Sequence, residues 1–191
     1  MSGTFPTSPV FNALNFSSEQ NTITSTTDSG KMFATQVDGQ RWKFSASFPP
    51  MTRADFMSVY AFVMKQRSQK ETFSIIPPII SNARGTISGS VDGTASVGAT
   101  TITLSGGSGS ILAGSLVKFD NHDKVYMVVT DNNDVTGNNL VIEPPLRTAV
   151  SSTNITYNNV PIKVRLQNDI QAFNTGTDGL YRFEIDVIEA L

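Results

Sequence analysis

Cysteine is absent from the 191 residues, which excludes a disulfide framework, thiolate metal ligation and cysteine nucleophiles. Histidine is nearly absent: His122 is the one side chain whose ordinary titration falls near neutral pH. Charge is scarce too. Charged residues make up 16% of the chain, against roughly a quarter in an average globular domain. The 14 Lys+Arg and 16 Asp+Glu leave a net charge of −2, so no basic field holds a phosphate backbone, and a dedicated nucleic-acid binder is disfavoured. Nowhere do about 18 apolar residues run together, as a membrane helix requires. The opening Met1 to Phe11 lacks a charged segment followed by an apolar one, so a soluble chain made without a secretory signal is expected.

What is present points to β-structure. Apolar residues reach 39%, enough for a core, and Ser, Thr and Asn are abundant beside 14 Gly and 9 Pro. This composition suits many short strands joined by turns, in one generous domain or one domain with an insertion. Residues 1–30 are polar with few apolar anchors and read as an extended arm carrying one or two edge strands. Asp38-Gly39 then separates Phe33–Val37 from Gln40–Phe48, a preferred turn pair that predicts a hairpin. Trp42, Phe44 and Phe48 alternate onto one face, a core face of a half-buried strand.

Pro49-Pro50 ends that strand. Thr52 is placed as a helix N-cap with Asp55 three positions on, and Phe56, Val59, Tyr60 and Val63 form an apolar stripe at helical spacing. A helix over about 52–67 is predicted, its stripe packed on the sheet that carries Trp42, Phe44 and Phe73. Lys65, Arg67 and Lys70 suit its C-terminal end and read as a solvated face. Glu71–Ile76 returns as a strand and stops at Pro77-Pro78.

Residues 85–159 change character, with many Gly, Ser and Thr and little charge at first. Strands are expected at Thr100–Leu104, Leu116–Phe119, Lys124–Thr130 and Asn139–Glu143, and five or six such strands make a small barrel. Ile162–Leu166 follows, predicted to pair with Glu71–Ile76. In the last strand Tyr181, Phe183 and Ile185 share one face while Arg182, Glu184 and Asp186 share the other.

Motifs that carry chemistry fail on inspection. Asp120-Asn121-His122-Asp123 lies between two strand-like segments and reads as a hairpin turn. Gly106-Gly107-Ser108-Gly109 lacks the Lys and the following helix of a phosphate loop and reads as a flexible barrel loop. Asp131-Asn132-Asn133-Asp134 opens like a calcium loop, but Thr136 and Ile142 stand where Gly and Glu are needed. No catalytic residue, cofactor or metal site is assigned, and the chain is expected not to be an enzyme. A carbohydrate-binding platform built on exposed aromatics is an alternative, but Trp42 and the phenylalanines alternate with polar residues as core positions do.

Trp42-Lys43-Phe44, the Pro-preceded helix with its apolar stripe and basic end, and Glu71-Thr72-Phe73 closing at Pro77-Pro78 together resemble tailed-bacteriophage minor tail proteins. The likeness is to the lambda minor tail protein M family and the distal tail (Dit-like) proteins. Leu112–Phe119, Val125–Val128 and Ile142–Arg147 resemble a small barrel inserted in many of them, and Tyr181–Ala190 resembles their terminal strand. The likeness spans residues 35–191; the polar N-terminal arm is longer than in the family.

The resemblance implies a tail-tube-like β-sandwich or split barrel with one flanking helix, assembled as a ring, in six copies. The expected organisation is an arm over 1–30, a core over 31–84 and 160–191, and the inserted barrel over 85–159. The implied role is a virion structural protein at the distal end of the tail, a hub or baseplate adaptor assembled in the host cytoplasm. Its implied partners are copies of itself, the tail tube protein and other tail-tip proteins, with DNA passing unbound through the channel and no membrane. A tail tube or neck ring component is the alternative within the same virion.

Overall fold

The computed structural model describes residues 3–191. The chain begins with two long strands, β1 (Ala13–Thr26) and β2 (Met32–Ser47), followed by helix α1 (Arg53–Lys65) and strand β3 (Phe73–Ile75). Short strands follow: β4 (Ile87–Ser88), β5 (Asp92–Ala95), β6 (Thr101–Ser105), β7 (Ser108–Gly109), β8 (Leu116–Phe119) and β9 (Val125–Val128). The last are β10 (Asn139–Glu143), β11 (Val150–Thr156), β12 (Ile162–Leu166), β13 (Phe173–Thr175) and β14 (Tyr181–Glu189). The protein is mainly β, with one helix among the described residues. It divides into two compact units, one of residues 11–70 and 165–190, the other of the described residues 3–10, 71–164 and 191.

The first unit is an open antiparallel sheet with the helix. β1 pairs with β2 from Ala13↔Ser47 to Thr26↔Met32, β2 pairs with β14, and β14 pairs with β13. The expected turn at Asp38-Gly39 is corrected: β2 runs straight through it, and the chain reverses at Thr27–Lys31, where Gly30 N donates to Thr27 O at 2.8 Å. Asp38-Gly39 instead sits where the register shifts, between Glu19↔Arg41 and Asn21↔Val37. Gly39 takes φ 124 there, so the backbone freedom that makes Asp-Gly a turn signal is used for a bulge.

The helix forms as its caps dictate. Thr52 Oγ1 accepts from Asp55 N and donates to the Asp55 carboxylate at 2.7 Å, which satisfies an N-terminal donor left open by helix geometry. Phe56, Val59 and Val63 are buried and Tyr60 is half-buried. The stripe packs, as expected, on the sheet that carries Trp42 and Phe44, and its aromatic contacts fall on two other strands of that sheet. Phe56 stacks on Tyr181 at 4.7 Å and meets Phe173 at 4.8 Å and Phe183 at 5.9 Å, so the stripe packs on β13 and β14. Trp42 itself stacks on Phe16 of β1 at 4.9 Å, and the Phe73 ring of β3 meets Phe5. Phe44, Phe48 and Ile185 are buried, Tyr181 half-buried, and Trp42 N donates to the buried Glu189 carboxylate at 3.2 Å.

The second unit holds the barrel. Its strands close in the order β10-β6-β5-β11-β8-β9, so no barrel strand is left with an open edge. The interior is packed by Ile102, Leu104, Phe119, Tyr126, Leu140 and Ile142, all but fully buried. Sequence patterning missed β5 and β11. In β5 the inward position is Gly93, where an added Cβ would lie 2.8 Å from Phe119 Cε1 and 2.9 Å from Ile102 Cγ2. The missing side chain is thus a packing requirement, and it erases the alternation by which a strand is read. In β11 a register shift between Val150 and Thr153 breaks the period. Beside the barrel, β3 pairs with Ile162–Val164 of β12, as the sequence predicts. The Gly-rich 106–109 segment is not a loose loop, because Ser108–Gly109 pairs with Ile87–Ser88.

Candidate functional site

The outer half of the β1–β2 hairpin is the surface that the fold leaves unfinished. Between Gln20–Thr26 and Met32–Gly39 every residue is exposed, on both faces of the ribbon. Opposed residues share a face; the register therefore places Ile23, Phe33 and Val37 together, with Asn21, Ser25 and Thr35 between them. These three apolar side chains are 64%, 52% and 40% exposed, and Met32 on the opposite face is 67% exposed. Lys31 Nζ lies 5.0 Å from the centre of the Phe33 ring, covering one side of it with a cation. A two-stranded ribbon is marginal in water without a packed face.

The inner half of the same hairpin is finished. Phe16 lies 4.9 Å from Trp42 and 6.0 Å from Phe44, and Trp42, Phe44 and Ala46 are buried. The change comes at the bulge. Before it side chains alternate between core and solvent; beyond it both faces meet solvent.

The sheet of this unit also has open edges. β1 is terminal in the strand order, and its sequence carries a single charge, Glu19, which pairs with Lys43 at 2.9 Å. It contains no Pro and no Lys, the usual guards of an exposed edge. Off the main strand order lies β13, three exposed residues antiparallel to β14. The segment before β13 is anchored to the helix end: Gln69 Nε2 donates to Gln167 O at 2.9 Å, Ser68 donates to the Asp169 carboxylate, and Tyr60 donates to Gln171 O at 3.4 Å. Arg182 pairs with Asp178 at 2.7 Å and holds that carboxyl below its ordinary range.

The residues weighed for chemistry are tied into hydrogen bonds. His122 lies in the β8–β9 turn, its Nδ1 2.7 Å from Asn121 Oδ1 and its Nε2 2.8 Å from the Tyr126 hydroxyl. That hydroxyl also accepts from Arg147 N at 3.1 Å. Asn121 donates its amide to Ala149 O, which turns Oδ1 toward the ring and assigns the imidazole proton to Nδ1. Burial lowers the His122 pKa below 6.5, Lys118 and Arg147 push the same way, and Asp123 opposes them. Asp123 bridges Lys163 at 2.7 Å and Lys118 at 3.4 Å, and the Lys163 hydrogen bond leads the causes that lower its own pKa. Asp120 accepts from Asn154 and Thr156. Asp120, Asn121, His122 and Asp123 thus each have a hydrogen-bond or ion-pair partner within this unit.

The 131–134 segment spends its carboxylates in the same way. Asp131 accepts from Ala113 N at 2.8 Å and Asp134 from Thr136 N at 2.9 Å. Among the described residues no group of three or more His, Asp or Glu is placed to hold a metal ion, and no helix is long and apolar enough to cross a membrane. The candidate surface that sequence reading missed is the ribbon's apolar face, whose signal is the alternation Phe33-Thr35-Val37 within a polar stretch. Compared with known proteins, the chain matches no protein-family model and no curated sequence.

Proposed function

We propose that this chain is a structural subunit of a bacteriophage tail, assembling with copies of itself as a ring at the distal end of the tail around the DNA channel. The observation that carries the reading is the β1–β2 ribbon, exposed on both faces with Ile23, Phe33 and Val37 aligned on one of them. Such a ribbon gains stability only when a neighbour covers it. The unguarded β1 edge and the exposed β13 supply the two ends of a head-to-tail contact. β1 ends the strand order β1-β2-β14-β12-β3, β13 branches from β14, and β1–β2, β2–β14 and β14–β13 are all antiparallel, so the β1 of an adjacent copy laid along β13 would continue that pattern. A head-to-tail contact of this kind closes into a ring when its rotation allows.

Composition supports the same role. A net charge of −2 leaves no strong attraction to trap passing DNA. The resemblance to minor tail and distal tail proteins supplies the virion setting, the six copies, and the tube and tail-tip proteins as further partners. The test is the mass of the purified chain in solution, by native mass spectrometry, together with its copy number in purified tails. A closed oligomer and about six copies per tail are expected from the resemblance. A strict monomer at all concentrations, present once or twice per particle, would remove the reading.

A further inference from the structure

Helix α1 carries a second apolar stripe, rotated by one residue from the buried one. Met57, Tyr60, Ala61 and Met64 recur at i, i+3, i+4 and i+7, the spacing of one helix face. Met57 and Met64 are 42% and 56% exposed, Ala61 is exposed and Tyr60 is half-buried. The Tyr60 ring meets the exposed Phe173 of β13 edge-on at 5.3 Å, which extends the patch onto the sheet. The inner stripe supplies the packing of α1 on its own sheet, since Phe56, Val59 and Val63 are the buried residues of the helix. Exposed apolar residues scattered singly need no explanation. Aligned on one face, with two flexible methionines among them, they make a surface suited to docking.

The β1–β2 ribbon matches this face in extent. Both surfaces belong to the unit of residues 11–70 and 165–190. Met57 to Met64 spans roughly 10 Å, because a helix rises about 1.5 Å per residue. Phe33 to Val37 spans roughly 13 Å at about 3.3 Å per residue, and Ile23 lies between them across the ribbon, opposite Thr35. Both strips are exposed in the single chain, so a contact between them joins different copies, and joins them head to tail. On the ring reading the β1 of an adjacent copy lies along β13, the strand whose Phe173 adjoins the helix patch.

Charge selects the occupant. An acid stands at each end of the ribbon strip, Asp28 in the turn beyond Phe33 and Asp38 at the bulge beyond Val37. A base stands at each end of the helix strip, Arg53 before Met57 and Lys65 after Met64, with Arg67 and Lys70 following. Asp28, Asp38, Arg53 and Lys65 are exposed, and none of them has an ion-pair partner among the described residues. The other charges are occupied: Asp55 accepts from Thr52, and Lys31 lies over the Phe33 ring. Ribbon against helix face sets acids beside bases at both ends. Helix against helix would set base on base, and ribbon against ribbon acid on acid, so the unlike pairing is the favoured one.

We propose that the Ile23, Phe33 and Val37 face of one copy docks on the Met57–Met64 helix face of a second copy. The contact rests on the reading of the chain as a self-assembling subunit, and it names the surface that covers the ribbon. The test uses two full-length variants. Met57→Asp with Met64→Asp removes the helix face, and Ile23→Asp with Phe33→Asp removes the ribbon face. These sites are exposed, so each variant should melt within a few degrees of the parent. Neither should oligomerise alone, whereas their mixture should give a heterodimer and nothing larger in native mass spectra, because one intact ribbon meets one intact helix face. The unaltered chain gives a second readout: under mild peroxide, Met57 and Met64 should form sulfoxide several-fold more slowly in the oligomer than in the diluted monomer. Parent oligomers with unprotected Met57 and Met64, a helix-face variant that oligomerises as the parent does, or a mixture without heterodimer would overturn this contact and leave the ring reading in place. A parent chain that stays monomeric at all concentrations would overturn both.

Discussion

The barrel and the open sheet solve the same problem in opposite ways. The barrel's six strands close on one another and its interior is filled to the level of a single Cβ at Gly93. Its polar turn at 120–123 is occupied by its own hydrogen bonds. The sheet that holds β1, β2 and β14 ends at β1 in a strand with an open edge, and its longest hairpin carries exposed apolar residues on both faces. Closure leaves the barrel no strand edge to pair; on the proposed reading, the open sheet is where a neighbouring copy attaches. A mutation should therefore strike either assembly or fold according to the region it falls in.

The sharpest break in that comparison is Ile23→Asp with Phe33→Asp. Both residues lie on the exposed ribbon, so the monomer should unfold within a few degrees of the parent while oligomers disappear from native mass spectra. Oligomers that survive the double change would show that the ribbon is not the assembly surface. Phe56→Ala comes next. Its ring is fully buried and touches four aromatic side chains, so truncation should cost about 3–5 kcal/mol, a large part of the roughly 5–15 kcal/mol that holds a domain. Hydrogen exchange should show β14 and α1 amides losing protection while those of β6 and β8 keep theirs.

Gly93→Ala is the mirror experiment, with a smaller effect. The added methyl meets Phe119 and Ile102 below 3.0 Å, and overpacking of this sort costs about 1–3 kcal/mol. Protection should fall at β5, β6 and β8 and hold in the helix. If Phe56→Ala and Gly93→Ala instead loosened the same amides to the same extent, the two regions would be one cooperative unit.

How far the sequence discloses this follows from where its alternation is intact. Trp42-Phe44-Phe48, the Phe56–Val63 stripe and the Tyr181–Ile185 face each bury one side and solvate the other, so their periods are plain. Periodicity fails where a residue is chosen for what it lacks. Gly93 hides β5, and the register shift after Val150 hides β11. Asp38-Gly39 carries a true local signal, backbone freedom at Gly39, but long-range pairing from Ala13 to Thr26 decides that it serves as a bulge. Phe173 stands alone among Gln171, Asn174 and Thr175, and only the fold brings it to Phe56. The exposed ribbon face was the least legible part, since the shared face of Ile23 and Phe33 exists only once β1 and β2 are in register.

The smallest effect expected is at His122, and its sign follows from the proton balance. The folded state holds the imidazole pKa below 6.5, chiefly through burial, with Lys118 and Arg147 adding to it. The unfolded chain therefore binds a proton more readily, and stability falls as pH drops through 6.5 toward the lowered value. Above 6.5 that contribution is fully present. Asp123 acts lower, around and beneath the ordinary carboxylate range, where protonation would release Lys163 and Lys118. His122→Ala removes the contacts to Tyr126 and Asn121 and should lower barrel stability by about 0.5–1.5 kcal/mol at pH 7. The same change should flatten the melting temperature between pH 7 and pH 5.5, where the parent declines by a few degrees at most. Oligomer mass should stay unchanged throughout, because the turn lies in the closed region. A His122→Ala chain that melts as the parent does but fails to assemble would reverse the comparison and place a partner at the barrel turn.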